Sequence, residues 1–206
     1  QIAEQMSDYL NKGAVTNALN MPSVSAEEAP ILKPFIALAE QLGSFAGQIT
    51  ESAIRKVEIV FDGKVSQMNI RPLTSAALAG LLRPLLSDIN MVSAPIVMKE
   101  RGVQLTETKQ DQTGVFESYI KITLVTEKQT RSVAGTIFND GRPRIIQIKG
   151  INMEAELCPH MLLTSNTDKP GYIGKLGNLM GEEGINIASF NLGRADTGGD
   201  AIALLG

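Results

Sequence analysis

The chain holds 206 residues, enough for one large or two small domains, and with 43% of them hydrophobic it can bury a sizeable core. A formal net charge of −3 with no basic block argues against nucleic acid or an anionic membrane as a partner, and there is no run of about 18 apolar residues to cross a bilayer. The single cysteine, Cys158, excludes an internal disulfide and fits a cytoplasmic chain.

The chain opens Gln-Ile-Ala-Glu, without a basic and then apolar signal, and its first residue is not Met, so a piece of a longer, unexported polypeptide is expected. Ile2, Met6, Tyr9 and Leu10 recur at helical spacing over 1–10, and Lys12-Gly13 ends that helix. Residues 14–30, with Pro22 and Pro30, show no periodicity and read as an extended linker. Ile31, Phe35, Leu38, Leu42 and Phe45 then form the apolar stripe of a helix that ends near Gly47 and covers a sheet.

Val57, Ile59 and Phe61 alternate with Lys56, Glu58 and Val60, and Asp62-Gly63 predicts a hairpin returning through 65–70. Thr74 or Ser75 is the predicted cap of a helix carrying Leu78, Leu81, Leu82 and Leu85, with Pro84 shortening its last turn. Residues 94–101 read as one or two helical turns stopped by Gly102. Phe116, Ile120, Ile122 and Leu124 stand at even steps, 131–138 is again strand-like, and Asn139-Asp140-Gly141 turns the chain back through 142–149. Helices followed by mostly antiparallel strands make this part α+β.

The remaining residues are the most informative. An apolar run at 160–165 leads to Asp168-Lys169-Pro170-Gly171, where a helix is expected from about Pro170. Its stripe is Ile173, Leu176, Leu179 and Met180, and Gly184 is its stop. Gly174, Gly177 and Gly181 line one edge of that stripe at roughly 1 kcal/mol each against Ala. Bare backbone admits the close approach of another backbone or a ligand, and spacing alone favours tight packing of the helix on its own sheet. A strand over 186–194, the turn cluster Asp196 to Asp200 and the apolar run 201–205 follow. The order β-α-β-β is two-thirds of a split βαβ sandwich.

The motifs D-K-P-G-Y-I-G, G-I-N-I-A-S and G-R with a downstream G-G resemble the ACT domain of bacterial D-3-phosphoglycerate dehydrogenases of the type with an extra intervening domain. A-L-N-M-P, at 18–22, is similar to the stretch that leaves the catalytic portion in that family. The resemblance implies the end of a catalytic portion and a linker at 1–29, an intervening α+β domain of the allosteric substrate-binding type at 30–156, and an incomplete, ferredoxin-like ACT domain at 157–206. It implies a homodimer or homotetramer that binds L-serine, the product of the pathway, between a helix start and a facing chain. By match to the motif, Asp168 would take the serine ammonium, Asn186 would hydrogen-bond the amino acid, and Asn166 would contact the hydroxyl. NAD and the catalytic residues would belong to parts of the enzyme outside these 206 residues.

The residues themselves leave a plainer alternative open, with Asp168 a helix cap and Asn186 a turn residue. There is no G-x-G-x-x-G, because Gly174, Gly177 and Gly181 follow another spacing, and no phosphate-binding G-x-x-x-x-G-K-[ST]. His160, two residues after Cys158, has no second pair of metal ligands, so no metal is expected. Arg142, Arg144 and Lys149 put three cations on one hairpin, a pattern that is usually a solvated face. The family's anion site in the intervening domain falls on Ile151, Asn152 and Glu156 here, leaving only Arg144 of its basic residues. A serine-sensing region of the dehydrogenase is the leading expectation. The similar unit of iron–sulfur L-serine dehydratases and a dimerisation module without ligand are the alternatives.

Overall fold

The computed structural model describes residues 1–112 and 114–206. Helix α1 (Ile2–Lys12) ends at Gly13 in the left-handed region, as expected, and buries none of its residues. The segment after it is not featureless, because Val15 and Val24 exchange two backbone hydrogen bonds of 2.8 Å. Ser25 and Glu28 then cap each other reciprocally, the Glu28 N–H donating to Ser25 Oγ and the Ser25 N–H to Glu28 Oε2. Helix α2 (Ala29–Gln48) starts at once, so Pro30 belongs to its first turn rather than to a linker.

Strand β1 (Ile54–Gly63) does not turn back at Asp62-Gly63 as the sequence predicts. Asp62 is buried, with its carboxylate accepting from the Gln112 N–H at 3.0 Å and Gln110 Nε2 at 2.6 Å, so it closes a strand end instead of a turn. A short 3-10 turn, Lys64–Gln67, follows, held by the Val65 N–H on Ser118 Oγ at 3.1 Å. The expected second strand is therefore absent, and the partners of β1 come from further along the chain.

Helix α3 (Arg71–Leu82) begins three residues before the predicted Thr74 or Ser75 cap. Asn69 Oδ1 accepts the Arg71 N–H, Pro72 fills the first turn, and Thr74 and Ser75 are buried inside the helix. It stops before Pro84. Helix α4 (Ser93–Glu100) and strand β2 (Gln104–Gln110) complete a crossover that lays β2 parallel to β1. Strands β3 (Ser118–Thr126), β4 (Thr130–Ile137), β5 (Pro143–Ile148) and β6 (Ile151–Glu156) follow as an antiparallel meander. The six-stranded order is β2-β1-β3-β4-β5-β6. Phe116 lies ahead of β3 rather than in it, stacked on Phe138 at 6.4 Å.

One face of this sheet is dry. Ile120, Ile122 and Leu124 of β3 join Val57, Ile59 and Phe61 of β1 under Leu38 and Leu42 of α2 and Leu78 and Leu81 of α3. Helices α2 and α3 touch backbone to backbone, since a Cβ on Gly43 would stand 2.1 Å from the Ala77 carbonyl oxygen and one on Gly80 2.0 Å from that of Glu40. The layer is thus helices on one face of a largely antiparallel sheet, an α+β architecture.

A second sheet follows. Strand β7 (Leu162–Thr167), helix α5 (Tyr172–Glu182), strand β8 (Phe190–Arg194) and strand β9 (Asp200–Leu205) assemble in the order β7-β9-β8, the split βαβ arrangement. Ile202 and Leu204 of β9 reach into the core of the larger sheet, and Gly193 of β8 lets β6 come close, a Cβ there lying 2.8 Å from the Asn152 carbonyl oxygen. No helix among the described residues is long and apolar enough to cross a membrane.

Candidate functional site

Strands β7 and β8 both run antiparallel to β9, so they are parallel to each other, with α5 carrying the chain back between them. The end of β7, the start of α5 and the end of β8 therefore meet at one end of this sheet. The loop 195–199 folds over that end: the Ala195 N–H donates to Asp200 O at 2.9 Å, the Gly199 N–H to Asp196 O at 3.0 Å, and Gly198 takes a positive φ of 77°.

Asp168 sits under this loop. Its own N–H donates to Gly199 O at 2.8 Å, Arg194 Nη1 reaches its Oδ2 at 3.2 Å and the Gly198 N–H points at the same oxygen from 3.5 Å. Asp168 is not the cap of α5. That helix starts at Tyr172, two residues later than Pro170, behind a Gly171 at φ 88° and with no side-chain cap. Its first N–H groups are left without side-chain partners, and Asp168 Oδ1 accepts no hydrogen bond among the described residues.

Asn166 lies two residues back on β7, paired with Ala201, and its Nδ2 donates to Thr167 O at 2.7 Å. It shares the end of the sheet that holds Asp168. Asn186 does not. Helix α5 stops in a Schellman motif, the Ile185 N–H on Met180 O and the Gly184 N–H on Gly181 O, with Gly184 at φ 70°. Asn186 follows in an exposed segment at the opposite end, and β8 begins only at Phe190, because the Ala188 and Ser189 N–H groups donate to Gly206 O. An 11-residue helix spans about 16 Å at 1.5 Å per residue. One copy therefore brings Asn166 and Asp168 together and leaves Asn186 a helix length away.

The glycine stripe also departs from expectation. A Cβ on Gly174, Gly177 or Gly181 would meet nothing within 4 Å, so these residues do not serve close packing on their own sheet. They lie on an open helix surface beside Ile173 and Leu179, each 50% exposed. The three cations at 142, 144 and 149 are not a cluster. Arg142 and Arg144 are neutralised by Glu156 and Asp140, with Arg144 also over the Phe138 ring, whereas Lys149 sits at the far end of β5. Arg194, which orients Asp168, went unassigned in the sequence even though it closes the G-R motif.

Residues 31–149 match the family model described as the D-3-phosphoglycerate dehydrogenase intervening domain. Among curated relatives named D-3-phosphoglycerate dehydrogenase, that of Methanocaldococcus jannaschii is 34% identical over 99% of this chain and 39% of its own length. The Archaeoglobus fulgidus protein is 35% identical over 94% of the chain and 37% of its length, and the Bacillus subtilis protein 29% over 100% and 39%. The chain thus spans about two-fifths of the length of the relatives it matches.

Proposed function

The chain belongs to the D-3-phosphoglycerate dehydrogenase intervening-domain family, and from that premise we propose that it is the regulatory region of such an enzyme, a cytoplasmic NAD-dependent oxidoreductase at the first step of L-serine biosynthesis. The closely spaced glycines stand in the middle of α5 and not at a strand-to-helix turn, so they lend no support to a nicotinamide nucleotide site here. On this reading, the oxidation of substrate by NAD is the work of parts of the polypeptide outside this chain.

The ligand is L-serine, held between two copies. The observation that carries this reading is the separation of Asp168 and Asn186 to opposite ends of one β7-α5-β8-β9 unit. A pair of units related by a two-fold axis lays the start of one against the return loop of the other, and each site then draws on both chains. Asp168 keeps Arg194 on Oδ2 and offers Oδ1 to the serine ammonium. The serine carboxylate lies at the unpartnered N–H groups that begin α5, where the helix dipole favours an anion. Asn166 meets the hydroxyl from the same copy, and Asn186 comes from the other. The bare glycine edge of α5 with Ile173 and Leu179 supports pairing of this kind, because it allows two helices to approach closely.

The test is complementation in the full polypeptide. Asp168→Ala removes a charge-assisted hydrogen bond and is expected to weaken serine about ten- to a hundred-fold. Asn186→Ala costs less because it is neutral. Mixing the two variants leaves each hybrid pair with one intact site, and because random exchange makes about half of the pairs hybrids, tight serine binding by calorimetry returns at about a quarter of the unsubstituted stoichiometry. Serine binding unaffected by Asp168→Ala, or no recovery on mixing, overturns the proposal.

A further inference from the structure

Strand β2 is an outer edge of the six-stranded sheet. It packs mainly on β1, with a smaller contact to the 3-10 turn, and six of its seven residues are exposed. The N–H and C=O groups on the outer side of such a strand pair with any strand that arrives, so edges are normally protected by shortness, a proline, a bulge, a covering element or a charge. β2 has seven residues, no proline and an unbroken register with β1. Charge is what is left to protect it.

That charge is self-complementary. Val57, Ile59 and Phe61 of β1 are buried in the core, and their register partners on β2 are Leu105, Glu107 and Lys109, so these three share the helix-covered face. Glu107 accepts a hydrogen bond from Thr74 Oγ1, and Lys109 Nζ donates to Met68 O at 3.2 Å, which holds both side chains in place. Neither makes an ion pair among the described residues.

Two copies of β2 laid antiparallel about a two-fold axis bring one residue opposite itself and pair the others symmetrically around it. An axis through Thr108 sets Glu107 opposite Lys109 of the second copy, Lys109 opposite Glu107 of the second copy, and Thr106 opposite Gln110. Moving the axis to Glu107 or to Lys109 sets like charges against each other. Moving it to Thr106 leaves both charges opposite apolar residues, Leu105 and Val103. Among these registers, the one about Thr108 alone satisfies both charges.

We propose that the β2 edge is a docking surface for a second copy of this chain, paired antiparallel about Thr108 so that two six-stranded sheets join into one. The pairing adds main-chain hydrogen bonds along both strands and two Glu107–Lys109 pairs on the helix-covered face. β2 lies at the edge opposite β6, the strand on which β8 packs, so this surface is separate from the smaller sheet. The inference is independent of the serine reading and needs none of its residues.

The experiment uses the full polypeptide carrying Thr108→Cys, oxidised under native conditions and read by mass spectrometry for the disulfide-linked pair of peptides from position 108. That position faces itself across the axis and is expected to cross-link. In Thr106→Cys the two thiols lie about 13 Å apart along the strands, beyond the roughly 7 Å between Cα atoms that a disulfide allows. In the Thr108→Cys background, Glu107→Lys or Lys109→Glu alone opposes like charges at two places and is expected to slow cross-linking about tenfold, and the two together restore it to within about threefold. A merely structural role for either side chain would not be recovered by reversing the second. Cross-linking that is absent at position 108, that is no faster there than at 106, or that fails to recover in the double reversal overturns the proposal.

Discussion

Two glycine-to-alanine substitutions, made in the same chain and both inside helices, are expected to change its stability in opposite directions. On Gly43 of α2 the new methyl carbon would stand 2.1 Å from the Ala77 carbonyl oxygen and 3.0 Å from the Leu81 nitrogen, both backbone atoms of α3. No rotamer relieves a clash with backbone, so the two helices must part by about 1 Å; overpacking of this kind costs about 1–3 kcal/mol, and more where nothing yields. Alanine returns about 1 kcal/mol of helix propensity, so with a backbone clash at the upper end of that range, about 3 kcal/mol, the net loss is about 2 kcal/mol. For a chain of this size that lowers Tm by roughly 4–8 °C. On Gly177 of α5 the same carbon meets nothing within 4 Å. Only the propensity term remains, a gain of up to about 1 kcal/mol or roughly 2–4 °C. Thermal unfolding followed by circular dichroism, at concentrations dilute enough to keep the chain monomeric, measures both. Equal destabilisation by the two substitutions would refute the claim that one glycine serves packing and the other does not.

Three further outcomes are expected. At higher concentration Gly177→Ala shifts sedimentation toward monomer, because a methyl group holds two α5 helices apart; unchanged self-association would move the pairing surface elsewhere. For Asp62, burial pulls its pKa upward, but the Gln112 N–H, Gln110 and Tyr119 more than offset this and hold the carboxyl below its ordinary value. A depressed folded pKa contributes stability that is complete above the unfolded value of about 3.9 and is lost as pH falls through the folded one. Urea midpoints of Asp62→Asn should accordingly vary less than those of the unsubstituted chain below about pH 4, and identical slopes would count against Asp62 as an acid-sensitive group. Calorimetric titration of these 206 residues with NADH gives no heat of binding; a micromolar dissociation constant would reveal a nucleotide site elsewhere in the chain.

The sequence was most legible where side-chain periodicity and burial coincide. The stripes of α2 and α3 and the alternation of β3 point at the same core, so pattern and tertiary packing agree. Strand β2 was hidden for the opposite reason. It reads Gln-Leu-Thr-Glu-Thr-Lys-Gln, an exposed edge with one apolar residue, and only pairing with β1 makes it a strand. Asp62-Gly63 misled because an Asp-Gly pair is a strong local turn signal, whereas here a distant segment supplies the partners of the carboxylate. Strand β6 alternates Ile151, Met153 and Ala155 cleanly, but the turn before it is Lys-Gly, not the Asn-Gly or Asp-Gly that would announce a hairpin.

At the candidate site, what was legible is what lies close in sequence. Asn166 and Asp168 are two residues apart at a strand end and so share a neighbourhood whatever the fold. Arg194 does not, because its place beside Asp168 depends on β8 running parallel to β7 with β9 between them. That topology also governs Asn186. A helix joining two parallel strands must return the chain to the end of the sheet from which it set out, so a residue just after α5 stands opposite one just before it. Any ligand that touches both Asp168 and Asn186 therefore needs a second chain, and in the serine reading proposed above the pairing of copies is part of the site and not an accessory to it.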